Sequence, residues 1–180
     1  MYIDGIKDIL TDKEVEEAIR WGRENVTSLQ KIEEPYLFGE KAEYKEHGYI
    51  CTKFYQLACL GYRLENAGIP RDEAKVAEIR DDKKLKIAIL TYGDKEGFAD
   101  KYHIFLVQDE EKIQPEIILD PIYSRTHLAC PVPGEYRYKT TLKAFFLYSV
   151  IDRKAKTTIV LEKGPGQKRP FEPVDFSNYK

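Results

Sequence analysis

The 180-residue chain has only one tryptophan, one methionine, three histidines and three cysteines. Cys51, Cys59 and Cys130 are an odd set, so they cannot make a complete disulfide framework. A chain of this length needs none, because area scaling lets it bury about 70% of its unfolded surface. The expected role of the three is that of small buried apolar side chains. Long hydrophobic runs are also missing. Ala144–Tyr148 is among the longest, far short of the ~20 residues a membrane-crossing helix needs. No single sign of charge dominates: the net charge is −2 and the pI about 6.0. That removes a global basic field, so neither nucleic acid nor an anionic membrane is an expected partner.

Familiar chemical motifs are absent too. The serines are Ser28, Ser124, Ser149 and Ser177, and none lies in G-x-S-x-G. Ser124, His127 and Asp120 share one stretch, but closeness in sequence is not triad geometry. Gly164-Pro-Gly-Gln-Lys-Arg169 lacks the spacing of a phosphate loop, and no G-x-G-x-x-G occurs. His127 and Cys130 would be half of a zinc site, or a thiol beside a base. No paired C-x₂-C or H-x₃-H supplies the other half. Asp94, Asp100, Asp109 and Asp120 fall at turns without a D-x-D-x-D run, so calcium is not indicated. No metal or cofactor is expected. Met1-Tyr-Ile-Asp-Gly5 has neither a basic n-region nor an apolar h-region. The expected location is cytoplasmic if the sequence is complete as written, and periplasmic or cell-envelope if a signal was removed.

What is present is a globular composition, 42% hydrophobic and 33% charged, divided unevenly. Residues 1–82 carry 12 basic against 18 acidic side chains, or −6; residues 83–180 carry 17 against 13, or +4. The hydrophobic period changes at the same point. Thr11 and Glu14 form a capping-box pair, and Val15, Ala18, Ile19, Gly22, Val26 and Leu29 recur at helical steps. Residues 33–48, with Pro35, Gly39 and Gly48, are expected to form a connecting loop. A central helix is expected over 50–67, stopped by Gly68 and Pro70, and a short third one over 70–80.

From Lys84 the period is two. Strands are expected over 84–90, 102–108, 113–119, 136–150 and 157–162, with a weak last one over 171–176. Pro115 suggests an edge or a bulge, and the length of 136–150 a bulge or bend. Residues 120–134 are expected to be irregular. Short connections between these strands require antiparallel pairing. The expected fold is α+β: N-terminal helices (1–82) packed on a C-terminal antiparallel immunoglobulin-like β-sandwich (83–180). The Cys–Trp–Cys core of antibody domains is missing, since the only tryptophan is Trp21.

Helices bearing Ile19-Arg-Trp-Gly22 and Phe54-Tyr-Gln-Leu-Ala58 precede a sandwich that ends Val160-Leu-Glu-Lys-Gly-Pro-Gly166, Phe171 and Asp175-Phe176. In this combination the chain resembles certain uncharacterised exported bacterial proteins. The resemblance implies a removed signal and a periplasmic or surface location, and it supplies no catalytic residues.

One group of residues suggests recognition. Tyr123, Arg125, His127, Tyr136, Arg137 and Tyr138 fall on a loop and the strand after it. Tyrosine and arginine are enriched at interface hot spots, and loops at a sandwich end carry recognition. Tyrosine also favours half-buried strand positions, which is the plainer account of these residues. The expected function is a non-enzymatic binding or accessory protein with a protein partner. The alternatives are a small hydrolase or metal-dependent enzyme using the 120–130 loop, and a carbohydrate- or lipid-binding module.

Overall fold

A computed structural model describes residues 5–126 and 136–180. The capping box forms as expected: the Glu14 amide donates to Thr11 Oγ1 at 3.3 Å, and the Thr11 amide to Glu14 Oε2 at 2.9 Å. It starts α1 (Asp12–Glu24). The expected single helix then breaks, and a short α2 (Leu29–Glu33) follows. Where a connecting loop is expected over 33–48, the chain instead makes β1 (Leu37–Gly39) and begins β2 (His47–Cys51). The central helix is therefore shorter than its apolar spacing predicts. α3 runs Lys53–Ala67, and Ile50 and Cys51 belong to β2. Thr52 caps α3 by accepting the Tyr55 amide at 3.1 Å, and Gly68 closes it in the left-handed conformation. α4 (Glu73–Asp81) starts from Asp72, not from Pro70.

Nine further strands follow or complete the two sheets. They are β3 (Lys84–Gly93), β4 (His103–Gln108), β5 (Glu111–Ile113), β6 (Ile117–Leu119), β7 (Tyr123–Arg125), β8 (Tyr138–Leu147), β9 (Lys156–Glu162), β10 (Lys168–Pro170) and β11 (Val174–Asp175). The six-stranded sheet has the order β1-β2-β3-β8-β6, with β7 also on β8. The five-stranded sheet has the order β10-β9-β4-β5, with β11 also on β9. Every pairing is antiparallel. The chain is thus α+β with two antiparallel sheets.

Three strand expectations change. Residues 113–119 are not one strand: β5 lies in one sheet and β6 in the other, and Pro115 sits where the chain switches. β7 forms inside the stretch expected to be irregular. The expected bulge in 136–150 is absent along β8, whose register with β3 runs unbroken from Lys84 opposite Leu147 to Gly93 opposite Tyr138. The strand ends instead in a 3₁₀ turn over Tyr148–Val150.

The sheets meet through their inner faces. Leu85, Ile87 and Ile89 of β3 and Leu142, Ala144 and Phe146 of β8 share one cluster with Ile104, Leu106, Ile159 and Leu161 of the other sheet. A second cluster joins the helices through Val15, Ala18 and Ile19 of α1, Phe54, Leu57 and Leu64 of α3, and Val76 and Ile79 of α4. α1 and α3 cross at backbone distance, because Gly22 faces the Ala58 carbonyl and Gly61 faces the Ile19 carbonyl.

Two buried charges tie these parts together. Lys53, 1% exposed, donates to the carbonyl of Asp8 at 2.5 Å and also to that of Arg80. Glu46, between β1 and β2, is held by Lys163 at 2.5 Å, by Arg169 of β10, and by the Thr91 hydroxyl at 2.8 Å. No helix among the described residues is long and apolar enough to cross a membrane.

Candidate functional site: the outer face of the six-stranded sheet

Of the sequence-predicted recognition residues, Tyr123 and Arg125 lie on β7, Tyr138 opens β8, and Tyr136 and Arg137 immediately precede it. Tyr123 of β7 pairs with Thr140 and Arg125 with Tyr138. Tyr123 is engaged internally: its hydroxyl donates to Asp100 Oδ1 at 2.6 Å and accepts the Ala99 amide at 3.1 Å. Its ring lies 5.4 Å from that of Phe98. Burial first, then the Asp100 carboxylate, push the Tyr123 hydroxyl up to about 12. Arg137 is exposed, and its carbonyl accepts the Thr126 amide at 2.9 Å. His127 and Cys130 lie outside the described residues.

Tyr136 belongs to a different group. Its ring stacks on Tyr44 at 5.6 Å with 14° between planes, and Tyr92 stands edge-on to both. Tyr44 and Tyr136 both have left-handed backbones, with φ of 59° and 58°. Bulky residues avoid that region, and each such placement costs about 1–2 kcal/mol. Leu85, Ile87 and Ile89 point into the core, so Lys86, Ala88, Leu90 and Tyr92 point outward. The tyrosine trio therefore stands at one end of the sheet's outer face. Lys139 pairs with Tyr92 across the β3–β8 ladder.

At the other end α3 overhangs this face and leaves a groove of about 620 Å³. Its floor is Cys51 of β2, Lys86 and Ala88 of β3, and Lys143 and Phe145 of β8. Tyr55, Gln56, Cys59 and Tyr62 of α3 form the wall, and Tyr49 and Leu29 close one side. Tyr49 and Tyr55 lie parallel, 6.4 Å apart with 5° between planes. A smaller hollow of about 380 Å³ continues along the same face toward Leu119 and Ile122, sharing Lys143. Another cleft of about 380 Å³ lies between α1 and the end of the chain. Lys180 partly occupies it, with Nζ 2.6 Å from Glu17 and 4.6 Å from the Phe54 ring centroid.

The groove has an uneven charge balance. Glu78 is engaged by Lys75 at 2.6 Å, and Glu33 by Lys41 at 3.3 Å and the Tyr49 hydroxyl at 3.4 Å. Asp82 accepts the Lys84 amide at 3.1 Å. The remaining cations have only neutral partners among the described residues. Lys86 donates to Gln56 Oε1 at 3.2 Å, and Arg63 to the Cys59 carbonyl at 3.3 Å. Lys143 is exposed and makes no ion pair with a described residue.

The groove's thiols are not poised as nucleophiles. Burial pushes Cys51 up to about 12, against the smaller opposing pull of Lys86 and Lys143. Cys59 is raised as well, again chiefly by burial. Both stay protonated at neutral pH, so neither supplies a thiolate. Tyr55 is raised by burial and then by Cys59 and Cys51, so it remains a neutral hydroxyl. Among the described residues no three His, Cys, Asp or Glu side chains gather as metal ligands.

Sequence reasoning singled out Tyr136 but not Tyr44, Tyr92 or the groove. These residues come from segments 29–33, 44–63, 75–92 and 136–145, and only strand pairing and the packing of α3 bring them together. No protein-family model matches the chain, and no curated protein matches it either.

Proposed function

We propose that this chain is a non-enzymatic recognition protein whose protein-contact surface is the end of the six-stranded sheet bearing Tyr44, Tyr92 and Tyr136. The observation that carries this reading is the pair of stacked tyrosines on left-handed backbones. Strain of that kind persists where the surroundings over-determine it and clusters at binding sites. Tyr136 is 36% exposed, and Arg137 beside it is also exposed. Aromatic anchors with a neighbouring arginine are the composition of interface hot spots.

A photo-crosslinking residue at position 136, used in the native cell, tests the reading. It is expected to trap a defined protein that the same residue at exposed Glu110 does not. Identical products from both positions, or none at 136, would refute it.

The immunoglobulin-like topology belongs to the same proposal. Along the chain, β2-β3-β8-β6 and β5-β4-β9-β10 follow the A-B-E-D and C′-C-F-G orders of that sandwich, with α3 and α4 inserted between the first two strands. An exported location remains part of it as well. A cleavable signal at the 5′ end of the native reading frame would support export, and its absence there would count against it.

A further inference from the structure

We propose that the groove beneath α3 binds a small amphiphilic organic anion, with its carboxylate or phosphate head at Lys86 and Lys143 and its apolar body between α3 and the sheet. This rests on different residues from the tyrosine trio and does not depend on it.

Three observations converge. The volume, about 620 Å³, falls within the range of small-molecule sites. The lining suits an apolar body: Phe145, Ala88 and the protonated Cys51 thiol below, with the protonated Cys59 thiol, Tyr55 and Tyr62 beside them. The charge balance suits an anionic head. Every carboxylate lining the groove already has a donor, whereas Lys86, Lys143 and Arg63 face only neutral groups or solvent among the described residues.

Lys86 and Lys143 sit on adjacent strands. Lys86 pairs with Phe145 and Lys143 with Ala88, so the two are diagonal neighbours on the outer face. Such positions lie about 7–8 Å apart, within joint reach of one carboxylate or phosphate for two long side chains.

Calorimetric titration of the full chain with octanoate, octyl phosphate and octan-1-ol tests the proposal, with acetate and inorganic phosphate as heads without tails. The expected result is that one or both tailed anions bind at least tenfold tighter than octan-1-ol, and that the tailless anions bind much more weakly. Which anion is preferred distinguishes a carboxylate from a phosphate ester. Lys86→Gln and Lys143→Gln are each expected to weaken the anion by about tenfold and leave octan-1-ol unchanged, because each removes one charged hydrogen-bond donor. Raising the ionic strength weakens only the anions.

A second measurement uses the unaltered protein. Occupancy is expected to slow alkylation of the half-buried Cys59 by N-ethylmaleimide, followed by peptide mass spectrometry. Equal binding of octanoate, octyl phosphate and octan-1-ol, anion binding indifferent to both lysine variants, or unchanged Cys59 alkylation at saturating anion would each overturn the proposal, as would no binding at all.

Discussion

The close crossing of α1 and α3 makes alanine costlier at Gly61 than at two glycines that no neighbour crowds, Gly68 and Gly164. A Cβ on Gly61 would stand 2.2 Å from the Ile19 carbonyl oxygen, where ordinary contact begins at 3.4 Å. The neighbour is backbone, so relief requires the helices to part by about 1 Å along a line of buried side chains. Alanine in place of glycine gains about 1 kcal/mol of helix propensity. Forcing a packed interface apart costs about 1–3 kcal/mol or more. Two helices pack through this crossing, so we expect the upper part of that range and a net loss of about 1–2 kcal/mol for Gly61→Ala.

Gly68 and Gly164 are the controls, since neither has a neighbour within 4 Å of an added Cβ. Gly68 has φ +62°, so alanine there pays about 1 kcal/mol of backbone strain without a clash. Gly164 has neither obstacle, and Gly164→Ala should be neutral or gain about 0.5 kcal/mol through the unfolded chain. Urea titration followed by circular dichroism gives the three midpoints. A Gly61→Ala protein as stable as Gly164→Ala would refute the close crossing.

Other outcomes follow from single sites. Burial would raise Glu14, but Lys7 and Thr11 hold it down, from an ordinary 4.5 to about 2. Its contribution, about 2–3 kcal/mol, is complete above pH 4.5 and lost as pH falls through 2, so a Glu14→Gln protein should show a flatter acid denaturation curve than the parent. Glu46→Ala leaves the buried Thr91 hydroxyl without its acceptor and the partly exposed Arg169 and Lys163 without their carboxylate, and should cost about 1–3 kcal/mol, whereas deleting an exposed partner such as Glu24 of the Arg20 pair should change the unfolding free energy from urea titration by less than about 1 kcal/mol. Tyr136→Gly relieves about 1–2 kcal/mol of backbone strain and forfeits a stacking contact of about 1 kcal/mol, so the melting temperature should stay within a few degrees while partner capture is lost. A large loss of stability would instead make Tyr136 a structural residue.

Local signals carried much of this architecture. Thr11 and Glu14 announce a helix start, Gly68 a helix end, and Lys84 onward a change of period, and all three correspond to real boundaries. β2 was hidden because Ile50 and Phe54 keep the four-residue spacing of the helix that follows. What makes 47–51 a strand is its ladder to β3, with Ile50 opposite Ile87, a contact 37 positions away in sequence. Pro115 correctly marked a discontinuity, but its meaning, a change of sheet, depends on which neighbours β5 and β6 find. The same limit applied to the site. Tyr44, Tyr92 and Tyr136 carry no local sign of one another, and Lys86 and Lys143 look like ordinary exposed strand residues until α3 is placed above them. Cys51 and Cys59 were expected to be small buried side chains. Cys51 is buried, and Cys59 is half-buried at the groove.

The junction between β2 and α3 is a single residue, Thr52, whose hydroxyl caps the helix and also donates to the Lys180 carbonyl at 2.6 Å. Helix and sheet therefore meet without a connecting loop, and the groove between them is already formed in the unliganded fold. A ligand entering it meets a cavity whose ordering cost was met during folding. Association should then be a one-step process. In stopped-flow mixing, the observed rate should climb in proportion to ligand concentration, without the plateau that a slow opening would impose.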